Sequence, residues 1–257
     1  MDSTLKLMMA AAKLGGEQLM KYFGKTLATK QKSTVADFRT KADLASERAV
    51  LSVLRKKYPQ FGIHSEEKGI SNSHATKRFV IDPLDGTNNF VLGIPMFSVS
   101  IGLMDGARTT HSVVYNPLLK HMYYAAAGTG AYCNTQRLKV NQETDIHRAT
   151  LAYACSYTTS AVLEEKRVHQ MRSLRSKRIL TSWSPALDLC MLASGRIEAF
   201  ASDKNELYDY VAGKLIAKEA GAFVTSLAGK PLTDDMADTF MVCNTAGIRS
   251  VLQRAFK

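Results

Sequence analysis

Phe79-Val80-Ile81-Asp82-Pro83-Leu84-Asp85-Gly86-Thr87-Asn88-Asn89-Phe90 is the stretch on which the reading of this chain turns. Phe79 to Ile81 is a short apolar, β-favouring run, and Pro83, which has no N–H for a ladder, is expected to end it. The strand then delivers Asp82 to its tip. Asp85 follows in a turn that Pro83 stiffens and Gly86 permits, so two carboxylates point into one small volume. Like charges held that close raise a pKa or recruit a cation, and oxygen-only donors suit a hard ion such as Mg²⁺. Gly86, Thr87 and Asn88 add consecutive N–H groups where a helical turn begins, a place that binds a phosphate oxygen. The plain alternative is a solvated Asp-Pro-x-Asp-Gly turn.

Just upstream, Phe61 to His64 reads as a brief strand ending in Glu66-Glu67, a pair able to supply one metal ligand and one supporting base. Two amphipathic helices are expected before it, from about Leu5 to Phe23 and from about Leu44 to Lys57. Asp43 stands where the second helix needs an N-cap, and capping is its default role. Downstream, Met96 to Leu103, Thr109 to Tyr115, His121 to Ala126, Ala131 to Cys133 and Arg137 to Val140 read as an antiparallel meander, with Asp105-Gly106 as a hairpin turn. The second half alternates: strands at 151–155, 179–181, 197–201, 222–225 and from Phe240, with helices at 161–175, 184–193, 208–220 and at the end. Ser184 caps one helix with Pro185 at its first position, and Asp209 stands where another begins, a favourable dipole position by default.

The chain has 257 residues, 46% of them hydrophobic, enough for a sizeable core, and nothing marks a domain boundary, so 1–257 is taken as one folding unit. Lys plus Arg total 34 against 23 Asp plus Glu, a formal charge of +11 that points to an anionic partner, phosphate ester or nucleic acid, or to a solvated basic surface. The densest positive segment holds Arg167, Arg172, Arg175, Lys177 and Arg178. It has no aromatic residue, which argues against a base-stacking platform. Cys133, Cys155, Cys190 and Cys243 form no zinc or redox motif and fit a reduced, cytoplasmic setting. No signal peptide or membrane anchor is read in the sequence. Gly128-Thr129-Gly130 is neither a dinucleotide fingerprint nor a P-loop, and no histidine pairing or Gly-x-Ser-x-Gly elbow offers another chemistry.

Asp82-Pro83-Leu84-Asp85-Gly86-Thr87-Asn88-Asn89-Phe90 resembles the Asp-Pro-[Ile/Leu]-Asp-Gly-Thr-x-Asn-Phe signature of the inositol monophosphatase family, Mg²⁺-dependent and typically lithium-sensitive phosphomonoesterases. Glu66-Glu67 resembles the family's Glu-Glu pair, Thr40-Lys41-Ala42-Asp43 its Thr-x-x-Asp, and Tyr208-Asp209-Tyr210-Val211-Ala212-Gly213 its second signature. The resemblance implies an α/β (α+β layered) fold, an αβαβα sandwich of the inositol monophosphatase / fructose bisphosphatase type, commonly paired into a homodimer. It implies two or three Mg²⁺ ions: one held by Glu66, Asp82 and the carbonyl of Leu84, a second by Asp82, Asp85 and Asp209, a third and weaker one involving Glu67. Asp43 and Thr87, with Glu67 assisting, would orient and deprotonate the attacking water. Asp85, Gly86, Thr87, Trp183, Ser184, Ser202, Asp203 and Asp209 would face the substrate.

The departures bear on that substrate. Trp183 stands where the family usually has Gly, and it either shapes the pocket or packs into the core. Ser202, with Asp203 beside it, occupies the place of an acid that often binds an inositol hydroxyl. A small polyol or sugar phosphate is expected, myo-inositol monophosphate first, with histidinol phosphate, fructose 1,6-bisphosphate and 3′-phosphoadenosine 5′-phosphate as alternatives. A basic RNA-binding or transcription-complex protein is the alternative from another class.

Overall fold

A computed structural model describes residues 2–257. Helix α1 (Ser3–Met20) is capped by Asp2, whose carboxylate accepts from the backbone N–H of Thr4. Strands β1 (Lys30–Gln31) and β2 (Phe38–Arg39) pair only with each other, as a small hairpin apart from the larger sheets. In α2 (Lys41–Lys57) the N-cap is Thr40, a correction to the expected Asp43, which instead lies within the first turn and reaches back to accept from Thr40 N at 2.8 Å.

The first sheet contains β3 (Gly62–Ser65), β4 (Gly69–Ser71), β5 (Lys77–Asp85) and, after the short α3 (Thr87–Leu92), β6 (Ser98–Asp105), β7 (Arg108–Asn116), β8 (His121–Ala126), β9 (Ala131–Cys133) and β10 (Gln136–Arg137). Its eight strands run in the order β10-β9-β8-β7-β6-β5-β3-β4. The β3–β5 pairing is parallel and sets Ser65 beside Ile81, so the chain leaves both strands at one edge, with Glu66 N donating to the carbonyl of Ile81 at 3.1 Å. Pro83 does not end β5. The register against β6 slips between Asp82, opposite Ser100, and Asp85, opposite Ser98, leaving one extra residue on β5. A bulge of that kind needs no N–H from its unpaired residue, so proline is accommodated within the strand.

The second sheet contains β11 (Thr150–Cys155) and, after α4 (Ala161–Ser173), β12 (Arg178–Leu180); α5 (Pro185–Ala193) leads to β13 (Ala199–Asp203), and α6 (Leu207–Glu219) to β14 (Phe223–Thr225), β15 (Phe240–Cys243) and α7 (Ala246–Ala255). Its order is β12-β11-β13-β15-β14, parallel among the first three and antiparallel beyond.

Period-two alternation on both sheets divides the apolar residues into three cores. Phe79, Ile81, Val99 and Ile101 face α1 and α2, while Val80, Met104 and Val114 face the other way onto α5 and α6. On the second sheet Ala152, Phe200 and Val242 join that same middle core, and Leu151, Tyr153 and Met241 pack on the outer side, where α4 and α7 lie. Helices, sheet, helices, sheet and helices thus stack as αβαβα, the layered architecture expected. Close packing of α1 on α2 depends on Gly15, where an added Cβ would come within 2.8 Å of Val50.

Candidate active site

The ends of β3 and β5, the start of α3, the loop after β11 and the N-terminal turns of α5 and α6 enclose a cavity of about 500 Å³. Glu66, Asp82, Asp85 and Asp209 line it, so the structure gathers four acids that lie far apart in the chain. Leu84, Gly86 and Thr87 line it as well. The β5 bulge sets the two aspartates: Asp82 Oδ1 accepts from Leu84 N at 2.9 Å, and Asp85 Oδ2 accepts from Ser98 Oγ at 3.0 Å and Ser184 Oγ at 2.5 Å. Ser184 therefore does not cap α5 with its side chain as expected; its hydroxyl is spent on Asp85. Gly86 turns the chain at φ +89°, and a Cβ there would meet the carbonyl oxygen of Met96 at 2.8 Å, so glycine is required on both counts.

Burial is the main cause that raises the pKa of each acid, and mutual repulsion adds to it. Asp82 is pushed well above the carboxylate range by burial and by Glu66, Asp85 and Asp209, and Asp209 by burial and by Glu66 and Asp85. Glu66 is pushed up to about 7 by burial against the opposing pull of Lys32, and Asp85 to about 7 by burial against the hydrogen bonds of Ser184 and Ser98.

One cation already sits among these groups. Lys32, on the turn after β1, places Nζ 2.7 Å from Glu66 Oε1 and in contact with Glu67 Oε1. Burial works against that charge, but the two glutamates outweigh it and its pKa is raised. Arg39 Nη1 adds a second contact to Glu67, at 3.1 Å from Oε2. Among the described residues no three acids have closed to the spacing of a finished metal cage. The donor set nevertheless fits a hard divalent ion: Glu66 Oε2 is buried without a partner, every side-chain donor is oxygen, and an ammonium holds the place of positive charge.

Asp43 and Glu67 do not line the cavity. Asp43 is fully buried behind Thr87, whose Oγ1 lies 3.2 Å from Asp43 Oδ1 and 3.0 Å from the carbonyl of Leu84. Burial raises the pKa of Asp43 against the hydrogen bonds of Thr40. Ser202 and Asp203 are turned away, a correction to their expected place beside the substrate. Ser202 Oγ donates to the carbonyl of Asp238 at 2.8 Å, and Asp203 takes a two-pronged pairing from Arg167, at 2.7 and 3.1 Å. Trp183 lies outside the core: it is 56% exposed and lines the cavity.

Sequence reasoning passed over Lys32, Tyr157 and Asn205, which also line the cavity, and Ser98, which steadies Asp85. A search for the charge that must balance several buried acids was the signal available for Lys32, although Lys30-Gln31-Lys32 offers two candidates.

Over residues 1–255 the chain matches the family described as the inositol monophosphatase family. A protein named Nus factor SuhB from Pasteurella multocida is 35% identical over 239 residues, covering 89% of this chain and 87% of its own. A protein of Aquifex aeolicus named fructose-1,6-bisphosphatase/inositol-1-monophosphatase is 32% identical over 88% of this chain and 86% of its own. The crystal structure of extragenic suppressor protein suhB from Bartonella henselae superposes with a TM-score of 0.91 at 30% identity, covering 100% of this chain and 99% of that one.

Proposed function

The chain belongs to the inositol monophosphatase family, and from that premise we propose that it hydrolyses small phosphomonoesters with Mg²⁺ at the acid-lined cavity. The observation that carries this reading is the convergence of Glu66, Asp82, Asp85 and Asp209 on one cavity, with pKa values raised by burial and by one another. Those four side chains and the Leu84 carbonyl would hold the ions, with Glu67 beside them. Bound there, Mg²⁺ lowers the pKa of the attacking water and neutralises charge on the leaving oxygen.

The protein's own groups supply orientation and proton transfer. The Thr87 hydroxyl lies between the cavity and Asp43 Oδ1, so Asp43 acts as base at one remove: the water gives its proton to Thr87 Oγ1 as Thr87 gives its own to Asp43. The water oxygen bonds to phosphorus as the bond from phosphorus to the ester oxygen breaks, the departing alkoxide takes a proton from solvent water, and Asp43 returns its proton to solvent through Thr87. No covalent intermediate on the chain is needed. Phosphate release from a phosphomonoester panel, with and without chelator, tests the reading: release that chelator abolishes supports it, and no Mg²⁺-dependent release from any member sinks it.

A second reading has its own observation. Arg172, Arg175, Lys177 and Arg178, from the end of α4 to the edge strand β12, are all exposed and make no ion pair with the described residues. Such a turn suits the phosphates of a nucleic acid, and a relative bears the name Nus factor. RNA binding that weakens steeply with salt and is lost on substituting these four would support it; salt-independent or absent binding would remove it.

A further inference from the structure

We propose that the alcohol of the substrate carries a flat aromatic ring, held against Trp183 and Tyr157 at the mouth of the cavity; this rests on the phosphatase reading above and narrows it. Both side chains line the cavity, and both leave large apolar surface uncovered, Trp183 at 56% and Tyr157 at 50% exposure. Single exposed aromatics are ordinary on a protein surface. Two on one catalytic cavity, each anchored as these are, make a built feature.

Trp183 has φ +56°, the left-handed region that a bulky side chain avoids and occupies only where its surroundings impose it. Its two neighbours impose it. The carbonyl of Ser182 accepts from Asn89 Nδ2 at 2.6 Å, and Ser184 Oγ donates to Asp85 Oδ2 at 2.5 Å. The backbone that carries the indole is thereby fixed relative to an acid of the reacting centre. Tyr157 is fixed from the same short helix: its hydroxyl accepts from Asn88 Nδ2 at 3.0 Å, and that amide also donates to the carbonyl of Ala36 at 2.9 Å. Asn88 and Asn89, adjacent on α3, thus hold the two ring-bearing segments at a set offset from the phosphate end of the cavity.

The two positions expected to meet the hydroxyls of a cyclitol are spent elsewhere. Ser202 spends its hydroxyl on the Asp238 carbonyl and accepts from Asn205 Nδ2 at 2.9 Å, and Asp203 is neutralised by Arg167. Hydroxyls of a polyol find no carboxylate at either position, whereas a ring finds two aromatic faces on which to stack. A volume of about 500 Å³ is ample for a ring and a sugar or short chain beyond the phosphate. Nucleoside monophosphates are the probe class this points to, because removing the base leaves a sugar phosphate otherwise unchanged.

The chain has one tryptophan, so emission excited selectively from tryptophan reports on this wall alone. In Mg²⁺ buffer, adenosine is expected to change that fluorescence saturably, with half-saturation at least roughly tenfold below that for ribose. Tyr157→Ala should weaken the adenosine response, and Tyr157→Phe should keep most of it. In turnover, adenosine 5′-monophosphate should exceed ribose 5-phosphate by roughly tenfold in kcat/KM. Trp183→Gly should raise KM for the nucleotide several-fold more than KM for ribose 5-phosphate, so that the preference between them falls, with Trp183→Phe restoring part of the difference. Equal turnover of the two phosphates with no saturable fluorescence response overturns the aromatic assignment and leaves the phosphatase reading standing. Mg²⁺-dependent release from neither, nor from any member of the wider panel, overturns both.

Discussion

Helices α2 and α6 begin with the same device and serve the site differently. Asp43 and Asp209 each sit in a first turn and accept the N–H of the residue before the helix, Thr40 at 2.8 Å and Glu206 at 2.9 Å. The second oxygen separates them. Asp43 Oδ1 is taken by Thr87 and the residue is sealed from the cavity, whereas Asp209 lines the cavity and takes no further hydrogen bond from the described residues. On the proposed function a cap and a ligand are thus not rival roles: capping occupies one carboxylate oxygen and leaves the other open.

The sharpest way to break this comparison is Asp209→Asn. An amide oxygen still accepts from Glu206 N, so the helix and the melting temperature should hold, while a ligand charge is lost and Mg²⁺-dependent phosphate release should fall by roughly a thousandfold or more. Near-normal release would reduce Asp209 to a cap, and Asp85→Asn offers the same test on the bulge. Asp43→Asn should cost less, about a hundredfold in kcat, again with little change in melting temperature. Normal turnover across the accessible pH range would make Asp43 a cap and nothing more.

Proton linkage sharpens the contrast on the cavity side. Glu66 and Asp85, raised to about 7 from 4.5 and 3.8, bind protons more tightly folded than unfolded. Their contribution is therefore fully present below about pH 4 and is lost as pH rises through about 7. In chelator, urea-melting stability should fall over that window, and saturating Mg²⁺ should flatten the slope; a slope indifferent to Mg²⁺ would mean that the cation does not neutralise these acids. The smallest effect is expected from Lys32→Met, which removes the ammonium from Glu66 and Glu67. Divalent binding measured by calorimetry should tighten a few-fold, and weaker binding instead would show that Lys32 assists the ion rather than competing with it.

The acids were legible because strand ends, a glycine turn and short spacing are local signals. What pairs across the fold was not. Ser202 and Asp203 occupy the right offset from Asp209, yet β13 turns Ser202 toward the Asp238 carbonyl and Asp203 toward Arg167 of α4, partners that no spacing reveals. Pro83 was misjudged because a bulge, which only the register against β6 discloses, tolerates the missing N–H. The five layers came from the family resemblance, with which the element order read from neighbours in sequence was compatible. Which charge balances Glu67 depends on a hairpin that packs from outside both large sheets.

That hairpin also bears on the order in which the molecule is made. Lys32, Glu66 and Glu67 leave the ribosome early, followed by Asp82 and Asp85, whereas Asp209 emerges only after most of the second sheet. For much of synthesis the first sheet therefore carries an incomplete set of acids. The ammonium of Lys32 and the guanidinium of Arg39, both already made, are the counter-charges at hand for the nascent glutamates, before the chain can present a full site to any ion.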